Sequence, residues 1–88
     1  MSDTVQEMKD RLAALHPQHL EVIDESALHA GHAGAKAGGG HFRLTLVSAD
    51  FAGQSAVSRH RMVYQAMGDM MRGKIHALSI TALAPGEV

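Results

Sequence analysis

The apolar residues of this 88-residue chain recur with two periods, and each period predicts a type of element. Near the start they are spaced by three or four positions, which is the spacing of one helical face. They are Val5, Met8, Leu12 and Leu15. Ser2 or Asp3 can cap this helix at its start. The pair His16-Pro17 ends it, because the residue before a proline is disfavoured in the helical region.

Two stretches show the patterns of β-strands. Residues 19–25 contain the strand-prone Leu20, Val22 and Ile23. Residues 41–48 alternate more regularly, with one apolar face and one mixed face. The apolar face holds Phe42, Leu44 and Leu46, and the other face holds His41, Arg43, Thr45 and Val47. Because no helical pattern separates the two stretches, we predict that they are antiparallel neighbours.

A turn and a second helix follow. Residues 49–53 read as a turn, in which Phe51 anchors the chain over the sheet edge and Gly53 supplies backbone freedom. The helix is predicted from about Ser55 to Arg72, and its apolar positions share one broad face that is typical of core filling. They are Val57, Val63, Ala66, Met67, Met70 and Met71. His60 falls beside this face, so we interpret it as a hydrogen-bonded structural histidine at the core margin.

The last predicted strand, residues 74–83, has an apolar pattern with two phases. One phase puts Ile75 and Ala77 toward the core and His76 toward solvent. The other puts the even-numbered positions of residues 78–82 inward and His76 on the same side, because side chains alternate between the faces of a strand. The sequence leaves this choice open.

The segment from Ser26 to Gly40 differs in composition from the rest of the chain. It holds five glycines, five alanines and two histidines, His29 and His32. Glycine loses the most entropy on ordering, and fifteen residues are long for a connection in a compact domain. We therefore predict a flexible loop over about residues 26–40 that is either functional or tolerated slack.

Together these elements predict a single small α+β domain over residues 1–88, in the order αββαβ. Pro85 and Gly86 close it and leave Glu87 and Val88 as a short polar end. The acidic start argues against a secretory signal, and no stretch approaches the ~20 apolar residues of a membrane span. We expect no membrane association and a cytoplasmic location.

The composition removes several classes of function. The chain has no cysteine, hence no disulfide, no thiolate nucleophile and no four-cysteine metal site. Common hydrolase, phosphate-loop and zinc-protease motifs are missing, so we expect no enzyme. The net charge is −1, divided into −3 over residues 1–40 and +2 over residues 41–88. Neither half approaches the strongly basic balance typical of nucleic-acid-binding proteins.

Seven histidines raise the hypothesis of a metal site. A mobile loop histidine, His29 or His32, and His76 on a strand would form a two-histidine half site. Two imidazoles are too few for a closed tetrahedral ion site. In iron–sulfur chemistry two histidines can replace two cysteines on one iron, with thiolates completing the other. A cluster on this chain would therefore need a partner that brings thiolates. The alternative is a small interaction module whose histidines bind nothing.

Several stretches of the sequence resemble the BolA family. The resemblance lies in Phe51-Ala-Gly53, in Arg59-His-Arg-Met-Val-Tyr64 and in Ile75-His-Ala-Leu-Ser-Ile80. Residues 20–26 and 41–48 are similar to the two earlier strands of the family, and the match covers roughly residues 3–84 in the right order. It implies an αββαβ arrangement, similar to a type II KH fold, with a three-stranded mixed sheet packed by helices.

The resemblance also implies partnership with a monothiol glutaredoxin through a shared, glutathione-assisted [2Fe–2S] cluster, in iron–sulfur trafficking or iron sensing. In the family the ligands are a histidine or cysteine of the first inter-strand loop and the histidine of the final strand. These positions correspond to His29 and His76, and the additional His32 leaves open which loop histidine binds. We expect no cluster on the chain alone, and a free protein that is a monomer or a weak homodimer.

For some bacterial members the resemblance implies a different role, DNA binding and transcription regulation linked to stress response and cell shape. In this alternative the second helix and the entrance to the last strand would contact DNA. The candidate contacts are Arg59, Arg61 and Lys74. Salt-dependent binding would be expected, because phosphate contacts release counterions.

Overall fold

The computed structural model describes residues 3–26 and 40–88 of the chain. The described elements are α1 (Asp3–Leu12), β1 (His19–Asp24), β2 (Gly40–Val47), α2 (Ala56–Met67) and β3 (Ile75–Leu83). Short 3-10 helices lie at Ala13–Leu15, Ala49–Phe51, Gly68–Arg72 and Pro85–Glu87. The order αββαβ and the α+β class are as predicted.

The three strands form one mixed sheet with β2 in the centre. β1 pairs with β2 in antiparallel orientation, from His19 opposite Val47 to Asp24 opposite Phe42. β3 lies parallel to β2 on its other side. Two parallel strands need a crossover connection, and α2 lies within the one that joins β2 to β3. The antiparallel pairing of β1 with β2 confirms the prediction for the first two strands.

The hydrophobic core lies between the two helices and one face of the sheet. Its fully or largely buried members among the described residues are Met8, Leu12, Leu15, Phe42, Leu44, Leu46, Phe51, Val63, Met67, Met70, Ile75 and Ala84. The alternation of β2 predicted its inward face correctly, since all three of the predicted apolar positions are buried there. Both helices cover the same face, and the opposite face of the sheet carries the more polar side chains.

The second helix is shorter than predicted. α2 ends at Met67, and Gly68 has a φ of +60°, a conformation that residues with a side chain rarely adopt. The following 3-10 helix carries Met70 back into the core. Val57 was predicted on the buried face and is 62% exposed, because the core contacts of α2 come from its later turns, Met62 to Met67.

Val47 is buried, although the prediction placed it on the mixed face of β2, opposite Phe42, Leu44 and Leu46. It is only 6% exposed. It lines an apolar depression together with Leu83, Pro85 and Val88. No helix in the described ranges is long and apolar enough to span a bilayer.

Candidate functional site

His76 lies at an irregularity in the pairing of β3 with β2. Gly40 is opposite Ile75, but the next residue of β2, His41, is opposite Ala77. His76 is therefore the extra residue of a β-bulge, a feature that re-aims a side chain. The bulge explains the two phases of the sequence pattern: Ile75 is buried on one side of it, and the inward alternation resumes at Leu78 on the other. The His76 side chain is exposed.

His41 stands beside His76. Their ring centroids are 5.1 Å apart, with the ring planes tilted by 46°. Sequence reasoning placed His41 on the mixed face of its strand and did not identify it as a site residue. The two conflicting apolar phases of the β3 sequence were a sign of this pairing. An extra residue in one strand changes which residues of the two strands lie next to each other. A pair of imidazoles therefore marks this end of the sheet.

The histidine pair lies where residues 27–39 leave and rejoin the sheet. The amide of His41 donates to Ser26 Oγ over 3.1 Å, and the amide of Glu25 donates to the carbonyl of His41 over 2.8 Å. These bonds hold the two ends of the segment together. Ser26 in turn donates its amide to Asp24 Oδ1 over 2.9 Å, which fixes the turn out of β1.

His29 and His32 lie outside the described residues, so their approach to His76 stays a prediction. Within residues 3–26 and 40–88, no group of three or more histidine, cysteine, aspartate or glutamate side chains could hold a metal ion. The carboxylate of Glu25, which is near His41, pairs with Arg43 Nε at 3.2 Å. The described part of the chain thus offers two neighbouring imidazoles and no thiolate.

Arg59 was predicted as a DNA contact, and its guanidinium is held inside the fold. The side chain is only 12% exposed. Its Nε donates to the carbonyl of Gln54 over 2.9 Å, and Nη1 donates to the carbonyl of Ala82 over 3.0 Å. Both terminal nitrogens also donate to the carboxylate of Glu87. The predicted short polar end is therefore tied to α2 through Glu87.

This ion pair changes the titration of both partners. Hydrogen bonds from Arg59, and then from the amide of Ala84, lower the pKa of Glu87 to about 2. The same carboxylate raises the pKa of Arg59. A guanidinium with its donors engaged in this way has little left to offer a phosphate.

The other two basic candidates are more accessible. Arg61 is exposed on α2. Lys74 is 58% exposed, but its Nζ lies 2.6 Å from Glu7 Oε1, and this bond lowers the pKa of Glu7. Glu7 also pairs with Arg11, so Lys74 belongs to a mixed-charge cluster rather than a basic patch.

The predicted structural residues lie as follows. Phe51 is fully buried in the core, and Gly53 has a φ of +75°. His60 is half-buried on α2. Its predicted hydrogen bond is not formed with any residue that the structure describes.

A family model described as BolA-like protein matches residues 12–87. The chain is 46% identical over 79 residues to the SufE-like protein 1, chloroplastic/mitochondrial, of Arabidopsis thaliana. The match covers 84% of this chain and 21% of that protein. It is 40% identical over 68 residues to the DNA-binding transcriptional regulator BolA of Escherichia coli (strain K12), covering 77% of this chain and 62% of the relative. Neither relative is named as an enzyme.

The fold is also similar to a solved structure, the BolA domain of SufE1 from Arabidopsis thaliana. The TM-score is 0.85 at 40% sequence identity, covering 100% of this chain and 99% of that one. The chain thus spans about a fifth of the SufE-like protein and nearly all of the solved BolA domain. Because the family model matches most of the chain and the fold agrees, the chain belongs to the BolA family.

Proposed function

We propose that this chain is an accessory protein that binds a monothiol glutaredoxin and shares a [2Fe–2S] cluster with it. His76 and one loop histidine, His29 or His32, would supply the imidazoles for one iron. The thiolates for the other iron would come from the partner and from glutathione. The proposal follows the ligand pattern of the family, a loop histidine or cysteine together with the histidine of the last strand.

The observation that carries the proposal is the exposed His76, set on a bulge next to the ends of the segment that contains both loop histidines. Imidazole nitrogens are accepted iron ligands in clusters with two histidines on one iron. The donor set therefore fits half of such a cluster and cannot complete it, because the chain has no cysteine. When bound, the cluster would supply transferable iron and sulfide and one-electron chemistry.

His41 enters the proposal as a neighbour of the ligand. Its ring lies close enough to contact the His76 ring and to limit the rotamers that His76 can adopt. A ligand held in one orientation loses less entropy when it binds, which is how outer groups support metal ligands. We therefore expect that the shared cluster still forms in His41→Ala but is less stable than in wild type.

The test is reconstitution of the cluster from the purified chain, a monothiol glutaredoxin, iron, sulfide and glutathione. Visible absorption and circular dichroism would be compared for wild type and the alanine variants of His29, His32, His41 and His76. The matched control is His19→Ala, since His19 is also an exposed strand histidine but lies at the opposite end of the sheet.

For wild type and His19→Ala we expect a spectrum of the mixture that differs from that of the glutaredoxin alone. We expect this difference to be lost in His76→Ala and in one of the two loop variants, His29→Ala or His32→Ala. A wild-type spectrum identical to that of the glutaredoxin alone would refute the shared cluster. An unchanged spectrum in His76→Ala would remove His76 as a ligand.

A second candidate function, DNA-binding regulation, is favoured by the name of the Escherichia coli relative. The contacts of Arg59 decide which variant can test this function. Arg59→Ala would break the contacts with Ala82 and Glu87, so it cannot separate lost DNA contacts from lost stability. Arg61→Ala removes an exposed charge and is the better variant. Salt-dependent retardation of promoter DNA that weakens in Arg61→Ala would support this function, and no retardation at low salt would exclude it.

A further inference from the structure

The outer edge of β3 can be read from the hydrogen bonds of its neighbours. The carbonyl of Leu83 accepts from the amide of Ser48, so the main-chain groups of Leu83 face β2. Main-chain groups alternate in direction along a strand. Beyond the bulge, the N–H and C=O groups of the even-numbered residues of β3 must therefore face away from β2. These residues are Leu78, Ile80 and Ala82.

An independent contact confirms this orientation. The carbonyl of Ala82 accepts a hydrogen bond from Arg59 Nη1 over 3.0 Å, which requires that it point away from β2 toward α2. Arg59 thus covers the C-terminal part of the edge. Among the residues that the structure describes, no hydrogen-bond partner reaches the outward groups of Leu78 and Ile80.

β3 itself also carries no charged side chain, which is unusual for an exposed edge strand. Native proteins commonly protect edge strands with charged side chains, prolines or bulges. β3 has the bulge at His76 but no charged residue and no proline in its nine residues. The other edge strand, β1, carries Glu21 and Asp24. The two edges of the sheet therefore differ in their resistance to strand addition.

We propose that the β3 edge pairs in antiparallel orientation with β3 of a second copy of this chain, on a two-fold axis at Ser79. In this register Leu78 of each copy lies opposite Ile80 of the other, and their outward groups exchange four hydrogen bonds. The two sheets become one six-stranded sheet. Moving the axis to Ile80 would place Leu78 opposite Ala82, whose carbonyl Arg59 already occupies.

The occupant is a second copy because the strand is complementary to itself. On the solvent face the paired positions are Ser79 with Ser79, and Ala77 with Thr81. All three side chains are small, uncharged and exposed, so no charge is buried and no like charges meet. Four main-chain hydrogen bonds over a short segment make an interface well below the ~1,200 Å² of stable complexes, so the dimer is weak and concentration-dependent.

Sedimentation equilibrium of the purified chain over a range of concentrations tests this directly, with two opposite charge variants at the axis. In Ser79→Lys two lysines face each other across the axis, and in Ser79→Glu two glutamates do. We expect each variant alone to be monomeric where wild type is partly dimeric, and an equimolar mixture of the two variants to recover dimer. Gln65→Lys, an exposed position on α2, is the control for added charge and should dimerise as wild type does.

Far-UV circular dichroism and thermal unfolding of each variant would show that the fold is retained. A wild-type chain that stays monomeric at roughly millimolar concentration, where even a very weak dimer is populated, would overturn the proposal. So would dimers of unchanged strength in both charge variants, which would assign self-association to another surface. A mixture that fails to recover dimer would reject the register.

Discussion

Ser48 is the one polar side chain among the buried residues that the structure describes. Its hydroxyl donates to the carbonyl of Leu15 over 2.5 Å and accepts from the amide of Asp50 over 3.1 Å. The first bond satisfies the end of the 3-10 turn after α1, and the second caps the turn after β2. A buried polar group is tolerated when its hydrogen bonds are complete. Here one hydroxyl bonds main-chain groups of both turns.

We predict that Ser48→Ala lowers the free energy of unfolding by about 1–3 kcal/mol, because it leaves the buried carbonyl of Leu15 without its donor. Urea unfolding followed by circular dichroism would measure the loss. Ser79→Ala is the matched control, since Ser79 is exposed on β3, and it should change stability by no more than about 0.5 kcal/mol. Equal effects of the two substitutions would contradict the role of Ser48.

At the scale of elements, a glycine lies at the bulge between β2 and β3. A Cβ added at Gly40 would lie 2.5 Å from Cε2 of Phe42 and 3.0 Å from Ser26 Oγ. Phe42 is 5% exposed, so its ring has little room to move. The small residue therefore lets the start of β2 lie close to the core beside the histidine pair.

Gly40→Ala is predicted to cost about 1–3 kcal/mol of stability, the usual range for overpacking a core. Gly86→Ala serves as the control, since no atom lies within 4 Å of the Cβ position and Gly86 has no positive φ. Thermal unfolding of both variants would show whether the difference exists. A Gly40→Ala variant as stable as Gly86→Ala would mean that the Phe42 ring can shift at no cost.

The elements themselves were largely predictable from the sequence, and their irregularities were not. The period of α1 and the alternation of β2 identified both elements, because each has one buried face. The end of α2 at Gly68 was missed, since Met70 and Met71 continue the helical spacing while the backbone does not. The bulge at His76 was visible only as two conflicting phases, because an extra residue is defined by its partner strand.

The candidate site was predictable in part for the same reason. His76 could be singled out from its family motif, whereas its neighbour His41 depends on the register between two strands 35 positions apart. The engagement of Arg59 also depends on a distant residue, Glu87, which the sequence presented as a polar end. Contacts between remote residues leave no local pattern to read.

At the scale of the whole molecule, the Arg59–Glu87 pair connects α2, the end of β3 and the last residues of the chain. Glu87 accepts from the amide of Ala84 over 3.0 Å as well as from the guanidinium. Arg11 makes a similar connection at the other end of α2, where it donates to the carbonyl of Met67 over 2.6 Å and pairs with Asp69. Both ends of α2 are thus fixed by an arginine.

Glu87 should make stability depend on pH. Its pKa in the fold, about 2, lies below its ordinary value of 4.5, so the charged form stabilises the fold fully above pH 4.5. This contribution is lost as the pH falls toward 2. We predict that Glu87→Gln is less stable than wild type near neutral pH and that the two converge near pH 2.

Urea unfolding at several pH values would measure this convergence. The control is Glu21→Gln, an exposed carboxylate of β1 that enters none of the ion pairs described here. A gap between wild type and Glu87→Gln that is the same at every pH would show that the ion pair adds nothing through its charge.

The bulge at His76 has a consequence for insertions and deletions in this chain. Removing that one residue would join Ile75 to Ala77 and restore an unbroken alternation, with every core-facing side chain of β3 still facing inward. The core would be preserved and the imidazole would be gone. A one-residue deletion at this position would thus remove the histidine and keep the fold.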